Sequence, residues 1–292
     1  MQNKLLVRCP AKINLFLKLT GIRPDGYHKL ESLFAFLDLA DELEVKKSEK
    51  FQLEIFGEFA EFVDLENNLF TKILDFFAAE FEISKNLNIK ITKNIPVGAG
   101  LGGGSSNAAY FMLALNKIFA LNLNKKELQT ISLNFGSDIA FFFENKASIV
   151  KGRGEIIENF SDFKQISALL INPKISLSTR EVFQKFDRNF SPEIPTSKLL
   201  KKDVFELIEN FGNDLEKPAI ELLPPVLKIL NELKNSGAKI SKMSGSGATC
   251  FGIFSDEKSL DEAEKKLAQI FPEFFVKRVK ILSNFGVIPA KS

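Results

Sequence analysis

The chain has 292 residues, 45% of them hydrophobic, enough to bury one large core or two modest ones, and a length that favours two domains. Lys and Arg number 39 against 37 Asp and Glu, a net charge of +2. That balance excludes a general attraction to nucleic acid or anionic membranes, so an anionic ligand has to be held by a local site. Only two cysteines are present, Cys9 and Cys250; without a CxxC partner they exclude zinc and thiol-redox motifs and read as reduced thiols.

The chain opens MQNKLLVRCP, which lacks the apolar core of a signal peptide. A soluble, cytoplasmic protein with no membrane partner is expected. From Ala11 to Thr20 the residues alternate: Ile13, Leu15, Leu17 and Leu19 on one face, Lys12, Asn14, Phe16 and Lys18 on the other. This predicts a half-buried strand. Arg23-Pro24-Asp25-Gly26 then signals a turn. Leu43 to Lys47 and Phe51 to Phe56 read as strands. Asn68 to Glu80 carries Leu69, Ile73, Leu74 and Phe77 at helical spacing, and Leu87 to Thr92 alternates as a strand. After a glycine-rich run, Ser105 to Phe119 reads as a helix. It holds the longest apolar run, Ala108 to Leu115, well short of the roughly 20 residues a bilayer span needs. Lys125 to Asn134 is a second helix, stopped by Gly136.

Gly152 and Gly154 mark a turn between strands at Ala147 to Val150 and Glu155 to Glu158. A domain boundary is placed near 155, giving 1–155 and 156–292. Strand Ala168 to Asn172 and a helix near Thr179 to Asp187 follow, then a surface loop from Asn189 to Pro195. Helices Val204 to Asn210 and Pro224 to Asn235 precede strands Lys239 to Met243 and Thr249 to Phe254; helix Ser259 to Ile270 and strand Phe275 to Ile281 close the pattern. Strands and helices mix without strict alternation, which predicts an α+β fold rather than a doubly wound parallel sheet. The 30 phenylalanines are expected to fill the core.

The glycine-rich run carries the chemistry: Pro96-Val97-Gly98-Ala99-Gly100-Leu101-Gly102-Gly103-Gly104-Ser105-Ser106. Glycines let the backbone take positive φ and approach a ligand closely. A helix opening at Ser105 aims unpaired N–H groups and its positive dipole end into the loop, a phosphate-binding arrangement. Walker A fails, because Gly104 stands where it needs lysine. The dinucleotide pattern GxGxxG is met by Gly98, Gly100 and Gly103, but the run lies far from the N-terminal strand and Leu121 to Asn124 offer no acid where that fold needs one. Five glycines followed by two serines at a helix start also argue against a mere linker.

The string Pro-x-Gly-x-Gly-Leu-Gly-x-Gly-Ser-Ser-x-Ala-Ala resembles the ATP motif of the GHMP kinases, which include galactokinase, homoserine kinase and mevalonate kinase. Pro10-Ala11-Lys12-Ile13-Asn14-Leu15 resembles that family's first motif, and Lys242-Met243-Ser244-Gly245-Ser246-Gly247-Ala248-Thr249 its third. The longer string Pro10 to His28, with Leu33-Phe34-x-Phe-Leu-Asp38, Asn67-Asn68-Leu69, Gly136-Ser137-Asp138-Ile139 and Gly152-x-Gly154-Glu155, is similar to one branch. Its members phosphorylate the 2-hydroxyl of 4-diphosphocytidyl-2-C-methyl-D-erythritol in the non-mevalonate route to isoprenoid precursors. The resemblance covers nearly the whole chain and thins between about Phe186 and Ile220.

That resemblance implies a two-domain kinase, with mixed sheets packed by helices and the active site in the cleft between an N-terminal ATP-binding domain and a C-terminal domain. It implies ATP with Mg²⁺, Ser105 or Ser106 being a candidate hydroxyl ligand of the metal. Asp138 would take the proton of the substrate hydroxyl or orient it, and Lys12 would hold Asp138 ionised. Asn68, Leu69 and Lys93 would lie on the adenosine side. Tyr27, His28 and Phe183 would recognise the cytosine, with Asn14, Gly245, Ser246 and Gly247 also at the substrate. Ser137 departs from the family's alanine. Without the resemblance, Lys12 reads as a solvated lysine, Asp138 as a helix N-cap or a functional carboxylate, and Gly245-Ser246-Gly247 as an ordinary hairpin turn or a second nucleotide turn. A kinase of homoserine or mevalonate, and a nucleotide-binding module without turnover, are the alternatives. The Tyr27-His28 pair argues for a nucleobase.

Overall fold

The computed structural model describes residues 4–64 and 68–286; Asn67 of the Asn67-Asn68-Leu69 match lies outside them. Two long strands, β1 (Lys4–Ile22) and β2 (His28–Lys47), pair antiparallel almost end to end. β3 (Gln52–Phe56), helix α1 (Leu69–Phe81) and β4 (Leu87–Thr92) follow. Next come α2 (Gly103–Ile118), α3 (Lys125–Ser132), β5 (Ser148–Gly152), β6 (Ile156–Asn159) and β7 (Ile166–Asn172). Short helices α4 (Thr179–Lys185), α5 (Thr196–Leu199), α6 (Val204–Asn210) and α7 (Glu216–Leu222) lead to α8 (Pro225–Asn235). β8 (Ile240–Met243), β9 (Cys250–Ile253), α9 (Glu257–Ile270) and β10 (Phe275–Leu282) complete the described chain.

The strands form one mixed sheet in the order β3-β4-β2-β10-β7-β9-β8, with β1 and β5 also on β2 and β6 on β5. The β3–β4 pair is parallel and the other pairs are antiparallel. The fold is therefore α+β. β2 is the hub because its length lets different stretches pair differently: 30–34 with β5, 36–37 with β10, and 42–47 with β4. The boundary at 155 falls in the β5–β6 turn, while the sheet runs on through the β2–β10 pairing.

The two faces of the sheet carry separate cores. One is closed by α1, α2, α8 and α9, the other by α5 and α6. Neighbouring residues of β7 show the alternation: Leu169 and Ile171 join the first core, Ala168 and Leu170 the second. α2 is apolar on nearly every side, as a helix enclosed by sheet and neighbours must be.

β1 corrects the expectation of a half-buried strand. It is covered on both faces, and Lys12, Asn14 and Lys18 are buried, at 3%, 2% and 6% exposure. Nor do its four apolar residues share one face. A bulge between Asn14 and Phe16 shifts the register, so Ile13 and Leu15 enter one core while Leu17 and Leu19 enter the other.

Candidate active site

Three glycine- or lysine-bearing segments, distant in sequence, are fastened together by backbone groups. Lys12 N–H donates to Leu101 O at 2.9 Å, and Thr249 N–H donates to Ala99 O at 3.2 Å. Asn14 N–H donates to Ser244 Oγ at 3.1 Å, and that hydroxyl donates to Gly100 O at 3.0 Å. Contact this close depends on missing side chains. Gly100 has φ +76, and a Cβ there would fall within the van der Waals radius of Ser244 O. Gly102, at φ +66, caps α2, and its Cβ would sit 2.8 Å from Lys12 Cγ.

The loop opens onto a cavity of 460 Å³. Pro96, Val97, Gly98, Ala99 and Gly100 form part of its wall; Gly102, Gly103, Gly104 and Ser105, at the start of α2, form another part. Leu101 and Ser106 are buried behind it. Helix α2 therefore points its first turn, with the free N–H groups and positive dipole end, at this space. Asn68, Leu69 and Lys93 also line it. Asn68 is fixed there as the N-cap of α1, accepting from Thr71 N–H at 2.9 Å.

Beside the start of α2, Lys12 Nζ stands 3.2 Å from Asp138 Oδ2. The ammonium also donates to Asn14 Oδ1 at 2.5 Å and lies 4.6 Å from the centre of the Phe34 ring. Asn14 in turn donates to Ser32 Oγ at 2.9 Å. Asp138 begins a 3₁₀ turn over Ile139–Phe143, yet its side chain makes no capping bond. The carboxylate faces the cavity and the lysine, with 31% of its side chain exposed. Phe183, Gly245 and Ser246 line the same cavity from the second half of the chain, whereas Gly247 is buried behind the turn. The cleft thus draws its walls from both halves.

Tyr27 and His28 do not line this cavity. They sit beyond Phe183, at the β1–β2 turn. The His28 ring is 5.2 Å from Phe183, 6.1 Å from Phe186 and 6.3 Å from Phe190. Burial among these rings, with a smaller effect of the Arg188 charge, holds its imidazole below the usual histidine pKa. Tyr27 is 52% exposed.

Asp41 escapes a reading of the sequence. It is fully buried and accepts from Asn94 N–H at 2.7 Å, Ile95 N–H at 2.9 Å and Asn107 Nδ2 at 3.0 Å, besides an ion pair with Lys93. One carboxylate thereby fixes the entry to the glycine loop, a turn of α2 and Lys93 of the cavity wall. Nothing in the local sequence separates Asp41 from Asp38 or Glu42. Its importance comes from where β4 and α2 arrive.

A kinase cleft of the GHMP type is what this arrangement defines: a glycine loop feeding a helix N-terminus, lining one cavity with a lysine–carboxylate pair. The family model for the GHMP kinases N terminal domain matches residues 68–146, and that for the GHMP kinases C terminal matches 196–273. A 4-diphosphocytidyl-2-C-methyl-D-erythritol kinase of Thermoanaerobacter pseudethanolicus is 35% identical over 93% of this chain and 95% of its own length. One of Anaplasma phagocytophilum is 34% identical over 97% and 96%. A crystal structure of 4-(cytidine 5'-diphospho)-2C-methyl-D-erythritol kinase superposes with a TM-score of 0.76 at 27% identity, covering 97% of this chain and all (100%) of that one. Mevalonate kinase of L. major shares the fold alone, with a TM-score of 0.68 at 13% identity, over 100% of this chain and 98% of its own. The chain belongs to the GHMP kinases and, within them, to the 4-diphosphocytidyl-2-C-methyl-D-erythritol kinase family.

Proposed function

We propose that the chain transfers the γ-phosphoryl group of ATP to the 2-hydroxyl of 4-diphosphocytidyl-2-C-methyl-D-erythritol, a step of the non-mevalonate route to isoprenoid precursors. The observation that carries this reading is the Lys12–Asp138 pair in one cavity with the first turn of α2. The new bond joins the substrate oxygen to Pγ, the bond from Pγ to the bridging oxygen of ADP breaks, and the hydroxyl proton leaves. Asp138 takes that proton or orients the hydroxyl. Lys12, buried and 3.2 Å away, pairs with that carboxylate and holds it in place. Phosphoryl transfer asks a protein mainly for positioning and charge neutralisation.

On the nucleotide side, Pro96 to Ser106 and the α2 N-terminus cradle the phosphates, while Asn68, Leu69 and Lys93 bound the adenosine. The first turn of α2 fits Mg-ATP: Ser105 lines the cavity, and Ser106 Oγ is buried with no hydrogen-bond partner among the described residues. One of these hydroxyls would be the protein's ligand to Mg²⁺, which when bound would neutralise charge on the phosphate oxygens. On the substrate side Asn14, Gly245, Ser246 and Gly247 shape the alcohol site, and Tyr27, His28 and Phe183 recognise the base. Residues 1–155 are read as the ATP-binding domain and 156–292 as its C-terminal partner. Both cysteines are buried and free, which fits the expected cytoplasmic setting. Among the described residues no helix is long and apolar enough to cross a membrane.

ATP consumption against a panel of the cytidine diphosphate alcohol, homoserine and mevalonate tests the assignment. Turnover with the first alone is expected. Turnover with another alcohol and none with the first would overturn it.

A further inference from the structure

The β5–β6 turn touches both the base-side loop and the catalytic segment, although none of its residues enters the cavity wall. Arg153, at its tip, places its guanidinium carbon 4.8 Å from the centre of the Tyr27 ring, over one face. Among the described residues no other aromatic ring packs on Tyr27 and no carboxylate lies within ion-pair distance of Arg153. Arg153 Nη2 donates to Leu133 O at 3.0 Å, at the C-terminal end of α3, where a cation is favoured by the helix dipole. The guanidinium is thus fixed from behind.

The two segments are also braced to each other. Arg23 forms ion pairs with Asp25 in its own loop and with Glu155 in the turn. Glu155 accepts from Arg153 N–H at 2.5 Å. Arg23 N–H donates to Tyr27 O at 2.7 Å, and Tyr27 N–H donates to Asp25 Oδ1 at 3.2 Å. Gly154 packs so closely on Ser137 that a Cβ would run into the Ser137 carbonyl oxygen, one residue before Asp138. The turn therefore sets the Tyr27 platform in fixed relation to the catalytic carboxylate.

We infer that Arg153 is a specificity-determining positioning residue, which acts through Tyr27 by stacking on one face of the ring and presenting the other to the substrate's cytosine. This rests on the proposed role of Tyr27 in base recognition. Tyr27 is a half-exposed side chain at a loop tip, and an unsupported ring loses rotamer freedom when a base stacks on it. The guanidinium restricts that freedom before the substrate arrives, and a planar cation suits the ring face better than a lysine does.

A double-mutant cycle in the full-length enzyme tests the inference. Arg153→Met is expected to raise KM for the cytidine substrate about fivefold, the scale of a partly exposed cation–π contact. kcat and KM for ATP should stay within about twofold, which separates positioning from collapse of the turn against Ser137. Arg153→Lys should recover part of the loss. In a Tyr27→Ala background, Arg153→Met should have no further effect. The inference alone fails if Tyr27→Ala raises KM while Arg153→Met leaves it unchanged, or if the two losses simply multiply. An unchanged KM for Tyr27→Ala would overturn both the base-recognition reading and this extension. Thermal melts of each variant guard against misfolding, and Arg153→Lys, which keeps the charge, supplies the comparison if Arg153→Met does not fold.

Discussion

Asp138 and Lys12 illustrate how differently single residues can be read before and after folding. In the strand pattern Lys12 falls on a polar face, and only its motif suggests more. Folding buries it at 3% exposure and places it beside Asp138. A lysine with that little water needs a partner, and the carboxylate supplies it. Asp138→Asn keeps the shape and removes the charge. kcat is expected to fall about 10²-fold or more, with KM for ATP little changed, as for a lost general base; steady-state kinetics with saturating ATP checks it, and an active variant would remove Asp138 from the chemistry. His28 carries a pH prediction. Its folded pKa lies below the usual value of about 6.5, so the imidazole is neutral at pH 7 and resists protonation until more acid conditions. Unfolding takes up a proton at His28 once pH drops below about 6.5, so stability from this group is lost as pH falls. KM for the cytidine substrate is expected to stay flat from pH 8 through the usual histidine value of about 6.5 and to rise only at lower pH. His28→Ala should raise KM at all pH values and abolish that acid limb, and a KM matching the parent's at pH 8 would remove His28 from base recognition.

Elements with a clear period or a clear breaker were legible, and those enclosed on both sides were not. α1, α6, α8 and α9 present one apolar stripe each, and β4 falls where its alternation predicts, Leu87–Thr92. Most of β2 is invisible to period because Leu33 to Leu37 is apolar on both faces, as its place between two cores requires. The glycine loop reads from the sequence as an anion site, but its packing duty was not legible there. Its glycines also let Gly100 lie against Ser244, the contact that joins the loop to the third motif segment. Gly100→Ala, at φ +76 with no room for a methyl group, is expected to cost more than about 1 kcal/mol and to raise KM for ATP. Gly104→Ala meets nothing within 4 Å and should leave the melting temperature of the ligand-free protein nearly unchanged. Equal melting temperatures for the two variants would show that the loop is not held by this contact.

At the scale of the whole molecule, the cleft exists because the halves share a sheet rather than merely touching. β10 closes on β2, and β6 on β5, so pairing edges on both sides of residue 155 are filled by the other half. Buried charge ties them further. Lys18 and Lys151, at 6% and 8% exposure, both meet Glu31 of the first half, yet they donate to Pro192 O at 2.7 Å and Ile194 O at 2.6 Å in the second. Asp214 reaches back to accept from Leu19 N–H at 2.7 Å. A fragment of residues 1–155 would leave two buried ammonium groups short of acceptors and an open edge on β2, each a substantial cost. The fragments 1–155 and 156–292, expressed separately, are each expected to lack a cooperative thermal transition. Mixing them should restore one, together with kinase activity, because the missing partners are then supplied. Circular dichroism melts decide the matter: a sharp, two-state melt of isolated 1–155 would show that the shared sheet and the buried lysines are dispensable for its folding. The sequence places a boundary at 155 from a turn signal, and a turn is what stands there; that the sheet continues past it depends on a β2–β10 pairing between residues too far apart for any local pattern to reveal.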